Sequence, residues 1–130
     1  MKFDDHGFLI NKNKYNENSI IAEFYTKNYG KVSGIIFGAT SRKIKNFLLI
    51  GNKFDIQFNL KNHNKLGYFK IEIDKIFTPH YLDNKQKLNC ILYSINLIRI
   101  LTVENQANKK IYDQFFKLFE ILKQAKWIKK

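Results

Sequence analysis

From Phe24 to Phe54 the chain carries Lys27, Lys31, Arg42, Lys43, Lys45 and Lys53 and not one Asp or Glu. Tyr25, Tyr29, Phe37 and Phe47 are interleaved with those cations. Base mixed with aromatic suits a flexible polyanion, because cations neutralise phosphates while ring faces stack on unpaired bases. The candidate contact residues are therefore Lys27, Lys31, Arg42, Lys43 and Lys45, with Tyr25 and Tyr29 as stacking rings. A phenol tolerates a wet surface better than a phenyl ring does, so Phe37 and Phe47 are assigned to a core at least as readily as to a ligand.

Little else in the chain is arranged for chemistry. There is no glycine-rich phosphate loop followed by Lys, no nucleophile elbow and no pair of His at metal-ligand spacing. His6, His63 and His80 lie far apart and read as solvated or capping residues. Asp4 and Asp5 beside His6 offer oxygen ligands in principle, but an exposed chain end explains them more simply. Cys90 reads as a small buried hydrophobe, and a lone cysteine forms no intramolecular disulfide and no thiolate zinc site. The expectation is a binding protein, not an enzyme, with no cofactor and no metal.

The totals agree with a polyanionic partner. Among 130 residues, 23 are Lys or Arg and 11 are Asp or Glu, a formal charge of +12. Part of the Lys, Asn and Ile excess reads as nucleotide-composition bias. A hydrophobic content of 45% with 15% aromatics predicts a globular domain with a real core. The start, "MKFDDHGFLI", bears acid where a secretory leader bears base, and the apolar stretch Ile91–Leu101 is broken by Ser94, Asn96 and Arg99, so a cytoplasmic location is expected.

Strand periodicity dominates residues 1–80. In "FDIQFNL", Phe54, Ile56, Phe58 and Leu60 fall on one face, and in "YFKIEID" the inward set is Phe69, Ile71 and Ile73. "SIIAEFYT" and "KVSGIIFGA" are joined by "KNYG", where Asn28 and Gly30 are placed to supply positive φ for a hairpin. With a first strand from about Gly7 to Lys14, five strands predict a small closed barrel, since closure removes exposed sheet edges. Gly34 relieves crowding where the barrel bends, and Gly38 with Ala39 ends the third strand. Thr40 to Asn46 are then expected to form a mobile arm at the rim, kept free of acid because acid would repel phosphate.

Past Pro79 the period changes. Leu88, Ile91, Leu92, Ile95, Ile98 and Leu101 recur at helical spacing, and a second helix carries Ile111, Phe115, Leu118, Ile121 and Leu122, capped by Asn105 or Asn108. Residues 81–130 read as the start of a helical domain, and "LKQAKWIKK" gives that domain no closing cap.

In order and spacing these residues resemble the RecO recombination mediators. The likeness is carried by Gly7, by Tyr15, Glu17 and Ser19 around a turn, and by Phe24, Thr26 and Gly30 around the hairpin. It continues through Gly38 and Ala39 followed by Arg42 and Lys43, then Leu48, Gly51 and Asn52, and on to "KLGYFKIEI" and "LTVENQANKKIYDQFFKLFEIL". The resemblance implies an all-β five-stranded oligonucleotide-binding (OB) barrel over 1–80, followed by an α-helical segment over 81–130. It implies binding of single- and double-stranded DNA, annealing of complementary strands, and work with RecR and single-stranded-DNA-binding protein to load the RecA recombinase. Two departures stand out: family members continue well beyond Lys130, where the pocket for the tail of single-stranded-DNA-binding protein is expected, and the junction "LTVENQANKK" lacks the usual proline. Read from residues alone, three rivals stay open: a protein-interaction barrel, an RNA-directed OB-fold protein and, least favoured, a nuclease using Asp4 and Asp5.

Overall fold

The computed structural model describes residues 1–61, 66–77, 84–103 and 105–124. Five strands, β1 (Lys2–Asn16), β2 (Ser19–Thr26), β3 (Gly30–Phe37), β4 (Lys53–Asn59) and β5 (Tyr68–Lys75), close into a barrel in the order β1-β2-β3-β5-β4. A one-turn helix, α1 (Arg42–Lys45), joins β3 to β4, and α2 (Lys85–Leu101) and α3 (Lys109–Gln124) follow the barrel. This is the OB arrangement, strands first and helices after. Pro79 and the expected boundary at residue 80 lie outside the described residues, as do His63, His80 and Trp127.

β1 is longer than its alternation predicts, because it serves two neighbours. Lys2–Phe8 pairs antiparallel with β4 and Gly7–Asn16 with β2, so the front half, read as a loose chain end, is the strand that closes the barrel. The seam between β3 and β5 is parallel and short: Ile35 lies opposite Tyr68, and its N–H donates to the Gly67 carbonyl at 2.9 Å. Gly34 makes this approach possible, since a Cβ there would stand 2.8 Å from the Phe69 ring and 3.0 Å from the Gly67 oxygen. Inward side chains, among them Leu9, Phe24, Val32, Ile36, Phe54 and Ile56, fill the interior.

A second core lies outside the barrel. Phe8, Ile10 and Tyr25, on the outer side of β1 and β2, pack with Phe77 under α2 and α3. The barrel is thus the partner that the apolar helix stripes need. On α2 the buried apolar set is Ile91, Ile95 and Ile98, with Lys87 also buried, while Leu92 and Leu101 turn outward; Cys90 is half-buried beside this core. On α3 Tyr112, Phe115, Phe119 and Leu122 are buried, whereas Ile111 and Ile121 are exposed. The aromatic cluster around Phe8 chooses that face over the aliphatic one, since rings bury the larger area. Asn84 and Asn108 cap the two helices, accepting from the N–H groups of Lys87 and Ile111 at 3.1 Å each. Asn105, the other candidate cap, instead holds φ +58° in the connection between them. Among the described residues no helix is long and apolar enough to cross a membrane.

Two hydroxyls in this second core, those of Tyr25 and Tyr112, are buried without a hydrogen-bond partner among the described residues. Burial raises both phenol pKa values above the ordinary 10.0, Tyr112 the further of the two, with Asp5 and Asp74 adding to the shift there. A partnerless buried hydroxyl opposes folding, so Tyr112→Phe is expected to stabilise the protein by about 1 kcal/mol in urea denaturation. The pH dependence has a definite sign. The unfolded phenol ionises near pH 10.0 while the folded one stays protonated, so stability is full below that pH and falls as pH rises beyond it. Tyr112→Phe should shallow that alkaline decline; an equal slope in both proteins would refute the assignment.

Candidate nucleic-acid interface

α1 is built where the sequence predicts an arm. β3 ends at Phe37, Gly38 turns the chain at φ +69°, and the Ser41 N–H closes on the Gly38 carbonyl at 3.0 Å. The N–H groups of Ile44 and Lys45 then bond to the Ser41 carbonyl. Ile44 and Leu48 pack onto the barrel core, so Thr40–Asn46, expected as an arm, carries a helical turn docked on the barrel. Arg42, Lys43 and Lys45 all point to solvent, and no ion pair among the described residues engages them. Ala39 N–H donates to the Asn18 carbonyl at 2.9 Å, tying this cap to the β1–β2 turn, and Lys12 Nζ reaches the Leu48 carbonyl at 2.7 Å.

The other predicted contact residues lie at the opposite end of the hairpin. β2 and β3 each run for eight residues, so at about 3.4 Å per residue Lys27 and Tyr29 stand about 25 Å from α1. Lys27 is half-buried, and the Tyr29 ring lies on Phe3 with centroids 3.8 Å apart. Two candidates are removed from any free surface. Tyr25 has 0% exposure, because α3 lies over its side of the sheet with Tyr112 and Phe115 beside it. Lys31 is 7% exposed and donates from Nζ to the Arg99 carbonyl at 2.9 Å, placing a cation at the C-terminal turn of α2 where the helix dipole favours one. Lys53 is likewise withdrawn: its Nζ sits 2.5 Å from Asp74 and 4.6 Å above the Phe116 ring.

Four acids gather on one outer face, while Glu17 lies by Phe37 and Gly38. Asp4 and His6 on β1, Asp55 on β4, and Glu72 and Asp74 on β5 line one outer face. His6 Nδ1 lies 2.5 Å from Asp55, and ligand atoms of His6, Asp55 and Asp74 fall within 4.8 Å of one another. Folding thus makes a His–Asp–Asp cluster that linear spacing does not announce, with the Lys53 ammonium already seated against it. His6 is mid-strand, neither at a strand end nor in a turn. Asp5 is also misjudged by its position in the chain. It is 6% exposed and accepts from the N–H groups of His6 and Asn28 at 2.8 Å each and from Asn28 Nδ2 at 2.9 Å, which pins the β2–β3 turn. Asn28 serves that turn through these bonds and not through positive φ, which Gly30 supplies.

The family model described as "Recombination protein O N terminal" matches residues 1–77. The chain belongs to the RecO family. It is 34% identical over 116 residues to the DNA repair protein RecO of Rickettsia canadensis, covering 89% of this chain and 46% of that protein. The RecO of Rickettsia typhi is 33% identical over 116 residues, with 89% and 47% covered. A Rickettsia prowazekii protein described as uncharacterised is 34% identical over 108 residues, covering 83% of this chain and 93% of that protein. The chain spans about half the length of the curated RecO proteins it matches.

Sequence reasoning left Phe37 open between core and ligand, and it proves to face solvent. The parity of β3, with Val32 and Ile36 inward, forecasts that Phe37 points outward, and packing leaves it 58% exposed.

Proposed function

We propose that this RecO-family chain binds DNA strands electrostatically at α1, as the DNA-holding part of a recombination mediator in DNA repair. The observation that carries the proposal is the set of three solvent-facing cations, Arg42, Lys43 and Lys45, which form no ion pair among the described residues, while Asp4, Asp55, Glu72 and Asp74 line the β1–β4–β5 face. The action is passive. Cations on one docked cap hold phosphate strands near one another, proximity lets complementary strands anneal, and no bond is made or broken by the protein. Family membership supports single- and double-stranded DNA as ligands, RecR and single-stranded-DNA-binding protein as partners, RecA loading as the outcome, and the cytoplasm as the place. The fold leaves room for this role, because α1 stands clear of the helices that cover the other end of the hairpin.

The test is fluorescence anisotropy of a labelled oligonucleotide across salt. With about four to five phosphates neutralised, the log-log slope for a single strand should be about −3, so affinity falls about 60-fold between 50 and 200 mM salt. The triple variant Arg42→Ala, Lys43→Ala, Lys45→Ala should keep its melting temperature and show a slope near −1, since each lost phosphate contact removes about 0.7. A slope unchanged in the variant would move the site elsewhere on the molecule.

A further inference from the structure

We infer that Phe37 and Tyr68 form a base-stacking platform beside α1, and that the ligand seated there is single-stranded nucleic acid. This rests on the reading of α1 as a phosphate site and adds what the cations alone do not supply, a preference for unpaired bases.

The outer face of the β2–β3 hairpin has two ends with different fates. At one end Tyr25 and Lys31 lie under α2 and α3. At the other, Phe37 stands opposite Ser19, whose small side chain leaves the phenyl ring open. Among the described barrel residues Phe37 is the most exposed aromatic. It is not alone: the Tyr68 ring, brought across the β3–β5 seam, has its centroid 6.1 Å away at a 53° tilt. Tyr68 is held in place, its hydroxyl accepting from Asn59 Nδ2 at 2.9 Å.

Space and charge are arranged around this pair. A Cβ on Gly38 would meet nothing within 4 Å, and Phe37 and Gly38 share an open hollow with Asn16, Asn18 and Ser19, in which Glu17 is the one carboxylate set against the three cations of α1. Arg42 follows Phe37 by five residues, at most about 17 Å of chain, and the Ser41-to-Gly38 hydrogen bond folds it shorter. A strand whose phosphates meet Arg42, Lys43 and Lys45 therefore has bases within reach of the two rings. A duplex keeps its base faces stacked on one another and offers the rings nothing equivalent, which is why the platform selects single strands.

The experiment compares Phe37→Ala and Phe37→Trp with the unaltered 130-residue chain at fixed salt, using an oligothymidylate, an abasic strand of equal length and a duplex. The expected result is an approximately tenfold weaker oligothymidylate complex for Phe37→Ala. Its salt slope, abasic-strand affinity and duplex affinity should be unchanged, and Phe37→Trp should bind as tightly as the parent or tighter. Equal losses on all three ligands would overturn the platform, as they would report a disturbed fold or lost phosphate contact. So would no loss on oligothymidylate while the α1 triple variant still weakens binding; the cationic reading would then stand without its rings. Failure of the unaltered chain to bind any of the three at low salt would remove both.

Discussion

Phe8→Ala is expected to destabilise the protein by about 4 kcal/mol, a large loss for the truncation of one side chain. Phe8 has 0% exposure and stands on the outer side of β1, where five rings surround it: Phe77, Tyr112, Phe115, Phe116 and Phe119, with centroids 4.9 to 6.0 Å away. Truncation removes both its own buried area and the edge-to-face contacts with Phe115, Phe116 and Phe119. The resulting cavity lies where barrel and helices meet, so the packing that makes them one cooperative unit is what weakens. For a chain of this size the melting temperature should drop by about 15 °C. Thermal melts followed in parallel by helical ellipticity and by aromatic absorbance check the location of the damage. The helical signal should be lost first in the variant and together with the rest in the parent. A loss below about 1 kcal/mol would mean that Phe8 is not the keystone of the second core.

Gly30→Ala should cost about 3 kcal/mol or more, and Gly38→Ala is its built-in control. Both glycines sit at nearly the same backbone angle, φ +70° and +69°, where a Cβ carries about 1 to 2 kcal/mol of steric strain. They differ in what surrounds them. A Cβ on Gly38 meets open space, whereas one on Gly30 falls onto the backbone of Gln106, 2.8 Å from its nitrogen and nearer still to its carbonyl. Gln106 lies in the connection from α2 to α3, which is also tied to the hairpin by the Asn105 N–H donating to the Lys31 carbonyl at 2.9 Å. Alanine at position 30 must push that connection away, loosening this bond and the seat of Lys31 on Arg99 with it. Urea denaturation of the two variants separates strain from collision: the excess loss in Gly30→Ala is the collision. Equal losses would show that the connection does not lie against the hairpin turn.

The strands and helices were largely legible, because their signal is local. Alternation in "FDIQFNL" and "YFKIEID" yields β4 and β5 with Phe54, Ile56, Phe58 and Phe69 inward, as observed. Order and spacing of short motifs carried the RecO resemblance, and the family match over residues 1–77 bears it out. The three cations of α1 were also legible as a group, since four consecutive residues cannot be far apart whatever the fold. Asp5 was not, because its partners come from the turn at Asn28, more than twenty residues along the chain.

By itself, then, the order of residues determined the strand faces, the helix periods, the acid-free window and the family. Alternation separates side chains that enter the barrel from those that leave it, and nothing more. Whether an outward side chain meets water or another element is decided by packing between distant segments. Only the tertiary structure could therefore bury Tyr25 and Lys31 beneath α2 and α3, gather Asp4, Asp55, Glu72 and Asp74 on one outer face, and leave Phe37 in solvent beside Tyr68.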